Sequence, residues 1–154
     1  MEDEQIRNAI HSAIRKLVAE NPLLEFGIVH ERSTAHRLAV QMEPEFGGWN
    51  VDCEYDRDGH IRKVLDGVRE CRTARRTDDI IPDIIVHHRL RRGREHNLLV
   101  VELKKDAALD PCDDVKLGLM TRPEGEYQYQ LGLYINIDGG TFACTWYKDG
   151  ARLQ

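Results

Sequence analysis

Two acids and a lysine stand within stretches of sequence that are otherwise apolar. Asp83 lies inside one run of aliphatic and β-branched residues, and Glu102 and Lys104 lie near the end of another. Because side chains alternate along a strand, Glu102 and Lys104 share one face, and Asp83 can meet them from the first run. A buried carboxylate is costly unless it is paired, hydrogen-bonded or bound to a metal. The three residues therefore predict a binding site for a divalent cation.

The elements that must position these residues are two predicted strands, over residues 80–86 and 97–104. Both are nearly continuous apolar runs, which is typical of strands covered on both faces. The loop between them is short, basic and contains Gly93, so the simplest connection is an antiparallel hairpin. We therefore expect the three charged side chains to converge on one patch of a sheet.

The remaining elements follow from apolar spacing and from helix and turn signals. Spacings of three and four residues predict amphipathic helices over 4–19 and 31–42, and a third helix begins near Pro111. Alternating or apolar stretches predict further strands over 49–55, 127–137 and 141–147. The insertion 56–79 has an uncertain structure: apolar spacing over 61–68 suggests one short helix, whereas Gly59, Gly67 and the charge density argue for a loop. The order is helix, helix, strand, strand, strand, helix, strand, strand, which predicts an α/β sandwich with a mixed sheet.

Length and composition predict one domain that covers residues 1–154. The net charge of -5 argues against a protein that coats nucleic acid generally, although local basic patches remain. The acidic N-terminus has no apolar core that would mark a secretory signal, and no run is long enough to span a membrane. Neither the cysteines nor the histidines show the spacing of a zinc site. We expect a cytoplasmic protein with reduced cysteines.

Pro82-Asp83 followed by Glu102-Leu103-Lys104 resembles the signature of the PD-(D/E)xK nuclease superfamily. The order of elements after the first helix is similar to the αβββαβ core of that superfamily, and the resemblance covers roughly residues 29–146. It implies a restriction-endonuclease-like fold: a central mixed sheet flanked by helices, with an added N-terminal helix and an extra C-terminal strand. It also implies a metal-dependent nuclease that hydrolyses phosphodiester bonds in nucleic acid, with DNA as the favoured substrate.

The resemblance further implies a role for each residue of the motif. Asp83 and Glu102 would bind Mg²⁺ or Mn²⁺, with the main-chain carbonyl of Leu103 as another ligand. Lys104 would position the attacking water or stabilise charge on the phosphate. Glu31 corresponds, by order alone, to a helix glutamate that completes the metal site in many members. An acid in a first helical turn is also simply favourable for the helix dipole, so both interpretations stay open.

Other candidates are less specific. Gln130, at the start of the fourth predicted strand, would orient the scissile phosphate, or it contributes only ordinary strand polarity. Nucleic-acid contact needs Lys or Arg. The candidates lie in the insertion and on the third predicted helix, although such charges are usually just solvated: Arg69, Arg72, Arg75, Arg76 and Lys116.

The sequence leaves open two alternative functions and the oligomeric state. The main rival is a catalytically inactive protein of the same fold that serves as an interaction or nucleic-acid-binding module. A metal-binding protein unrelated to nucleases fits the order of elements less well. A homodimer would supply two sites to a duplex, but nothing in the sequence demonstrates one.

Overall fold

A six-stranded mixed β-sheet with helices on both faces forms the centre of the protein. The computed structural model describes residues 1–22, 30–54, 57–58, 61–62, 81–105, 109–138 and 140–154, with main chain only for the two short pieces 57–58 and 61–62. The elements in chain order are α1 Asp3–Glu20, α2 Glu31–Met42, β1 Asn50–Cys53, β2 Arg57–Asp58, β3 Ile61–Arg62, β4 Ile84–His87, β5 Asn97–Lys105, α3 Pro111–Thr121, β6 Leu131–Asp138, β7 Thr141–Lys148 and β8 Ala151–Arg152.

The order of strands in the sheet is β1-β4-β5-β6-β7-β8, and β2 pairs with β3 in a separate two-stranded ribbon. Strands β4 and β5 are antiparallel, as the sequence predicted. Strands β5 and β6 are parallel, with α3 as the connection that crosses between them, and this pair makes the six-stranded sheet mixed. An α/β protein with a mixed sheet is therefore confirmed.

Alternation along β5 divides the core into two layers. Leu99, Val101 and Leu103 pack with α1 and α2 on one face of the sheet. Val100 points to the other face, where it packs with Leu117 and other residues of α3. Glu102 and Lys104 alternate in phase with Val100, so they lie on the face that α3 covers.

The bounds of α2 match the prediction, while β4 and β6 each begin four residues later than predicted. β4 begins at Ile84, after a bend at Asp83, because Pro82 has no amide hydrogen to give to a ladder. β6 begins at Leu131, because the preceding residues form an irregular segment in which Gln128 has a φ of 53°. The two-residue strand β8 was not predicted.

Two further findings concern membrane-spanning helices and the state of the cysteines. Within the described ranges, no helix combines the length and the apolar character that a membrane span requires. Cys53 and Cys144 are free, but Cys112 is disulfide-bonded, which differs from the expectation that the cysteines are reduced.

Candidate functional site

Asp83 is held by the strands on both sides of it. Its main-chain carbonyl accepts a hydrogen bond from the amide of Glu54 at 3.1 Å, which extends the pairing of β1 with β4. Its side-chain oxygen Oδ2 accepts a hydrogen bond from the amide of Leu103 at 2.8 Å. The carboxylate therefore continues the β4–β5 ladder beyond the end of β4, and its position is fixed by the sheet.

Glu102 is buried beneath α3 and paired with a lysine from that helix. Its side chain is 3% exposed, and Oε1 lies 2.5 Å from Nζ of Lys116. At this distance the ammonium of Lys116 is a charge-assisted partner of Oε1. Burial raises the pKa of Glu102 to about 7, against the opposing effect of Lys116. This carboxylate is therefore poorly compensated.

Lys104 lies at the meeting point of acids from three elements. Its Nζ is 3.4 Å from Oε1 of Glu31 on α2 and 3.9 Å from Oδ2 of Asp113 on α3. Burial opposes the charge of Lys104, but four acids, led by Asp113 and Asp83, outweigh it and raise the pKa of Lys104. The ammonium is therefore firmly protonated at neutral pH.

Asp113 is a member of the site that the sequence analysis missed. It lies in the first turn of α3, whose N-cap residue Asp110 accepts a hydrogen bond from the amide of Cys112 at 2.7 Å. Asp113 is only 8% exposed, and burial raises its pKa. The available signal was its spacing: it precedes Leu117 by four residues, which places both on the face that packs against the sheet.

The charges of the site do not balance among the described residues. Four carboxylates act on the ammonium of Lys104, those of Glu31, Asp83, Glu102 and Asp113. Lys104 and Lys116 supply two positive charges, so four negative and two positive charges leave an excess of two negative charges when all are ionised. Burial also raises the pKa of Asp83, as it does for Glu102. The site therefore favours either added protons or an added cation.

The donor set suits a hard divalent cation, although the side chains do not already surround one. Carboxylate oxygens are the ligands that Mg²⁺ and Mn²⁺ prefer, and the excess charge equals that of one such ion. Nevertheless, no three His, Cys, Asp or Glu side chains in the described ranges form a ready metal-binding group. Glu102 is ion-paired with Lys116, and Oδ2 of Asp83 accepts a hydrogen bond from the amide of Leu103. A cation at Glu102 would have to displace Lys116.

The structure separates Gln130 from the other predicted site residues. Its amide nitrogen donates to the carbonyl of Arg94 at 2.9 Å, and its main-chain amide donates to Asn97 at the start of β5. Glu102, five residues further along β5, is paired with Tyr134. At about 3.3 Å per residue, this separation is too large for Gln130 to reach the acids.

The basic residues proposed for nucleic-acid contact have different outcomes. The four arginines of the insertion, Arg69, Arg72, Arg75 and Arg76, lie outside the described residues. Lys116 is described, but its side chain is only 14% exposed and is directed at Glu102. Its position is that of a counter-ion for a buried acid rather than of an exposed phosphate contact, because α3 presents this face to the sheet.

No match was found among protein-family models, curated proteins or solved structures.

Proposed function

We propose that the protein is a divalent-metal-dependent nuclease that hydrolyses phosphodiester bonds in nucleic acid, with DNA as the favoured substrate. The observation that carries the proposal is the convergence of Asp83, Glu102 and Lys104 from two adjacent segments of the sheet, with Glu31 of α2 at 3.4 Å from the ammonium of Lys104. A mixed sheet with helices on both faces is compatible with the restriction-endonuclease-like fold, which we include in the proposal.

Asp83 and Glu102 would hold Mg²⁺ or Mn²⁺, and Glu31 and the carbonyl of Leu103 are candidates for additional ligands. When bound, the cation would supply a Lewis acid for the phosphate oxygens and would acidify water. The sheet fixes the carboxylate of Asp83 in place for this role. The amide of Leu103 donates to Oδ2, so Oδ1 is the oxygen that would bind the cation. A carboxylate fixed in this way loses little further freedom on binding.

Lys104 would act through its positive charge. The surrounding acids raise its pKa, so the ammonium donates hydrogen bonds and does not accept a proton at neutral pH. An ammonium at this position would hold a water molecule or stabilise the negative charge that grows on the phosphoryl oxygens. Glu31, at 3.4 Å, restrains the direction of the side chain. Lys104 is therefore a charge-stabilising residue and not the general base.

The test is cleavage of plasmid DNA in Mg²⁺ or Mn²⁺ by the protein and by two variants, Asp83→Asn and Lys104→Met. Each should cleave at least about 100-fold more slowly, the usual order for loss of a group that stabilises the transition state. Asparagine can still accept the hydrogen bond from Leu103, so the strand pairing should survive. Chelation of the metal should stop cleavage.

Lys105→Met is the matched control, because the side chain of Lys105 lies on the opposite face of β5 from Lys104. It removes the same charge from the neighbouring residue and should leave cleavage unchanged. Full activity of both Asp83→Asn and Lys104→Met would show that phosphodiester hydrolysis, if present, does not use this site.

A second candidate function is supported by one specific observation. The ion pair between Glu102 and Lys116 is what a catalytically inactive nuclease-fold protein would show, and so is the lack, in the part of the chain that the structure describes, of a ready group of three His, Cys, Asp or Glu side chains. Such a protein would act as an interaction or nucleic-acid-binding module. Calorimetric titration with Mn²⁺ distinguishes the two, because a pure module should show no binding that depends on Asp83.

A further inference from the structure

We propose that Asp113 is an additional metal-binding acid of this site, so that the cation is held both by the sheet and by the helix that covers it. The inference rests on the proposed function and adds to it a ligand from α3. Oδ2 of Asp113 lies 3.9 Å from Nζ of Lys104, which brings Asp113 to the same ammonium that Glu31 contacts from the opposite direction.

Unsatisfied polar atoms provide an independent observation. Among the described residues, three buried side-chain atoms lack a hydrogen-bond partner, and two of them are Oδ2 of Asp113 and Oε1 of Glu102. Buried polar atoms in native proteins are nearly always hydrogen-bonded, and exceptions call for an explanation such as an ion. Oε1 of Glu102 nevertheless has the ammonium of Lys116 at 2.5 Å, so Oδ2 of Asp113 is the oxygen that a cation on the face between α3 and the sheet would satisfy.

The two neighbouring acids, Asp110 and Asp114, have ordinary structural roles in α3 and its surroundings. Asp110 caps the helix by accepting a hydrogen bond from the amide of Cys112 at 2.7 Å. Asp114 accepts a hydrogen bond from the hydroxyl of Tyr147 at 2.6 Å. Asp113 stands between them, more buried than either, and its Oδ2 has no donor. The helix dipole favours an acid in this first turn, but it does not supply a hydrogen-bond donor for the buried Oδ2 of Asp113.

The experiment is calorimetric titration of the full chain with Mn²⁺, using the wild-type protein, Asp113→Asn and Asp114→Asn. Loss of Asp113 should weaken Mn²⁺ binding by at least about tenfold, since changes around the ligands of a metal usually have effects of this size. Asp114→Asn removes the same charge from the same helical turn, and its amide oxygen can still accept from Tyr147. Its Mn²⁺ affinity should equal that of the wild type.

Thermal unfolding in a chelator provides a second readout. Asp113→Asn removes a buried charge that lacks a donor, so its melting temperature without metal should equal or exceed that of the wild type, and Mn²⁺ should raise it less. Equal Mn²⁺ affinity of wild type and Asp113→Asn, or failure of Asp113→Asn to fold, would overturn the assignment of Asp113 alone. Absence of Mn²⁺ binding by the wild type would overturn the proposed function as well.

Discussion

The buried carboxyl group of Glu102 should make the metal-free protein less stable as the pH rises, and Glu102→Gln should remove that loss. Burial raises the pKa of Glu102 from 4.5 to about 7. The folded state therefore binds this proton more tightly than the unfolded state does. The contribution of this proton binding to the free energy of unfolding is fully present below pH 4.5 and is lost as the pH rises through about 7.

The magnitude follows from the difference between the two pKa values. A difference of about 2.5 units at about 1.4 kcal/mol per unit corresponds to about 3 kcal/mol of unfolding free energy. This is a large part of the roughly 5–15 kcal/mol by which a domain is stable. Between pH 4.5 and pH 8, the free energy of unfolding of Glu102→Gln should therefore rise by about 3 kcal/mol relative to that of the wild type.

The assay is urea unfolding in the presence of a chelator at several pH values over this range. Glu124→Gln is the control, since Glu124 is exposed in a turn after α3 and should follow the wild type at every pH. Added Mn²⁺ should restore much of the stability that the wild type loses by pH 8. It should add little to the stability of Glu102→Gln, which lacks this carboxylate. Parallel pH profiles for wild type and Glu102→Gln would refute the conclusion that this carboxylate is poorly compensated.

Two further predictions concern residues around the site. Lys116→Met should lower the stability of the metal-free protein at pH 8 by about 3 kcal/mol, because it leaves Glu102 buried without a counter-ion. The same variant should bind Mn²⁺ more tightly in calorimetry, since no ammonium competes, and weaker binding would argue against competition. The Gln130→Ala variant should cleave DNA at the wild-type rate at the same Mg²⁺ concentration. Gln130 lies beside Asn97 at the start of β5, whereas the acids lie near the end of that strand. A large loss of rate would place it in the site after all.

The elements that the sequence predicted well are those whose own residues determine them. β5 is a continuous apolar run, and it is buried along seven of its nine residues. α3 begins where Asp110 can cap it and where Pro111 fits the first turn. Local signals of this kind do not depend on the rest of the fold, so they can be read from the chain alone.

The features that the sequence did not predict depend on contacts between distant segments. The segment before β6 carries buried Tyr127 and Tyr129, whose apolar character resembles a strand. The amide of Tyr129 instead donates to the carbonyl of Met120, and this contact with the end of α3 delays the start of β6. A hydrogen bond to another element can override local strand propensity in this way.

The same distinction applies within the site. The alternation of residues predicted that Glu102 and Lys104 would share a face, because that depends only on β5. The spacing of Asp113 from Leu117 indicates that both share the packed face of α3, but the contacts that Asp113 and Lys116 make depend on how that face packs on the sheet. That face is set by Leu117 and Met120, which are buried with the apolar residues of β4 and β5.

The most direct test of the central claim is anomalous diffraction from a crystal soaked in Mn²⁺. We expect one strong peak within ordinary coordination distance of the carboxylates of Asp83 and Glu102, with the ammonium of Lys116 moved away from Glu102. A crystal in which Mn²⁺ binds elsewhere or nowhere, while Lys116 remains paired with Glu102, would contradict the assignment of these acids as a metal site.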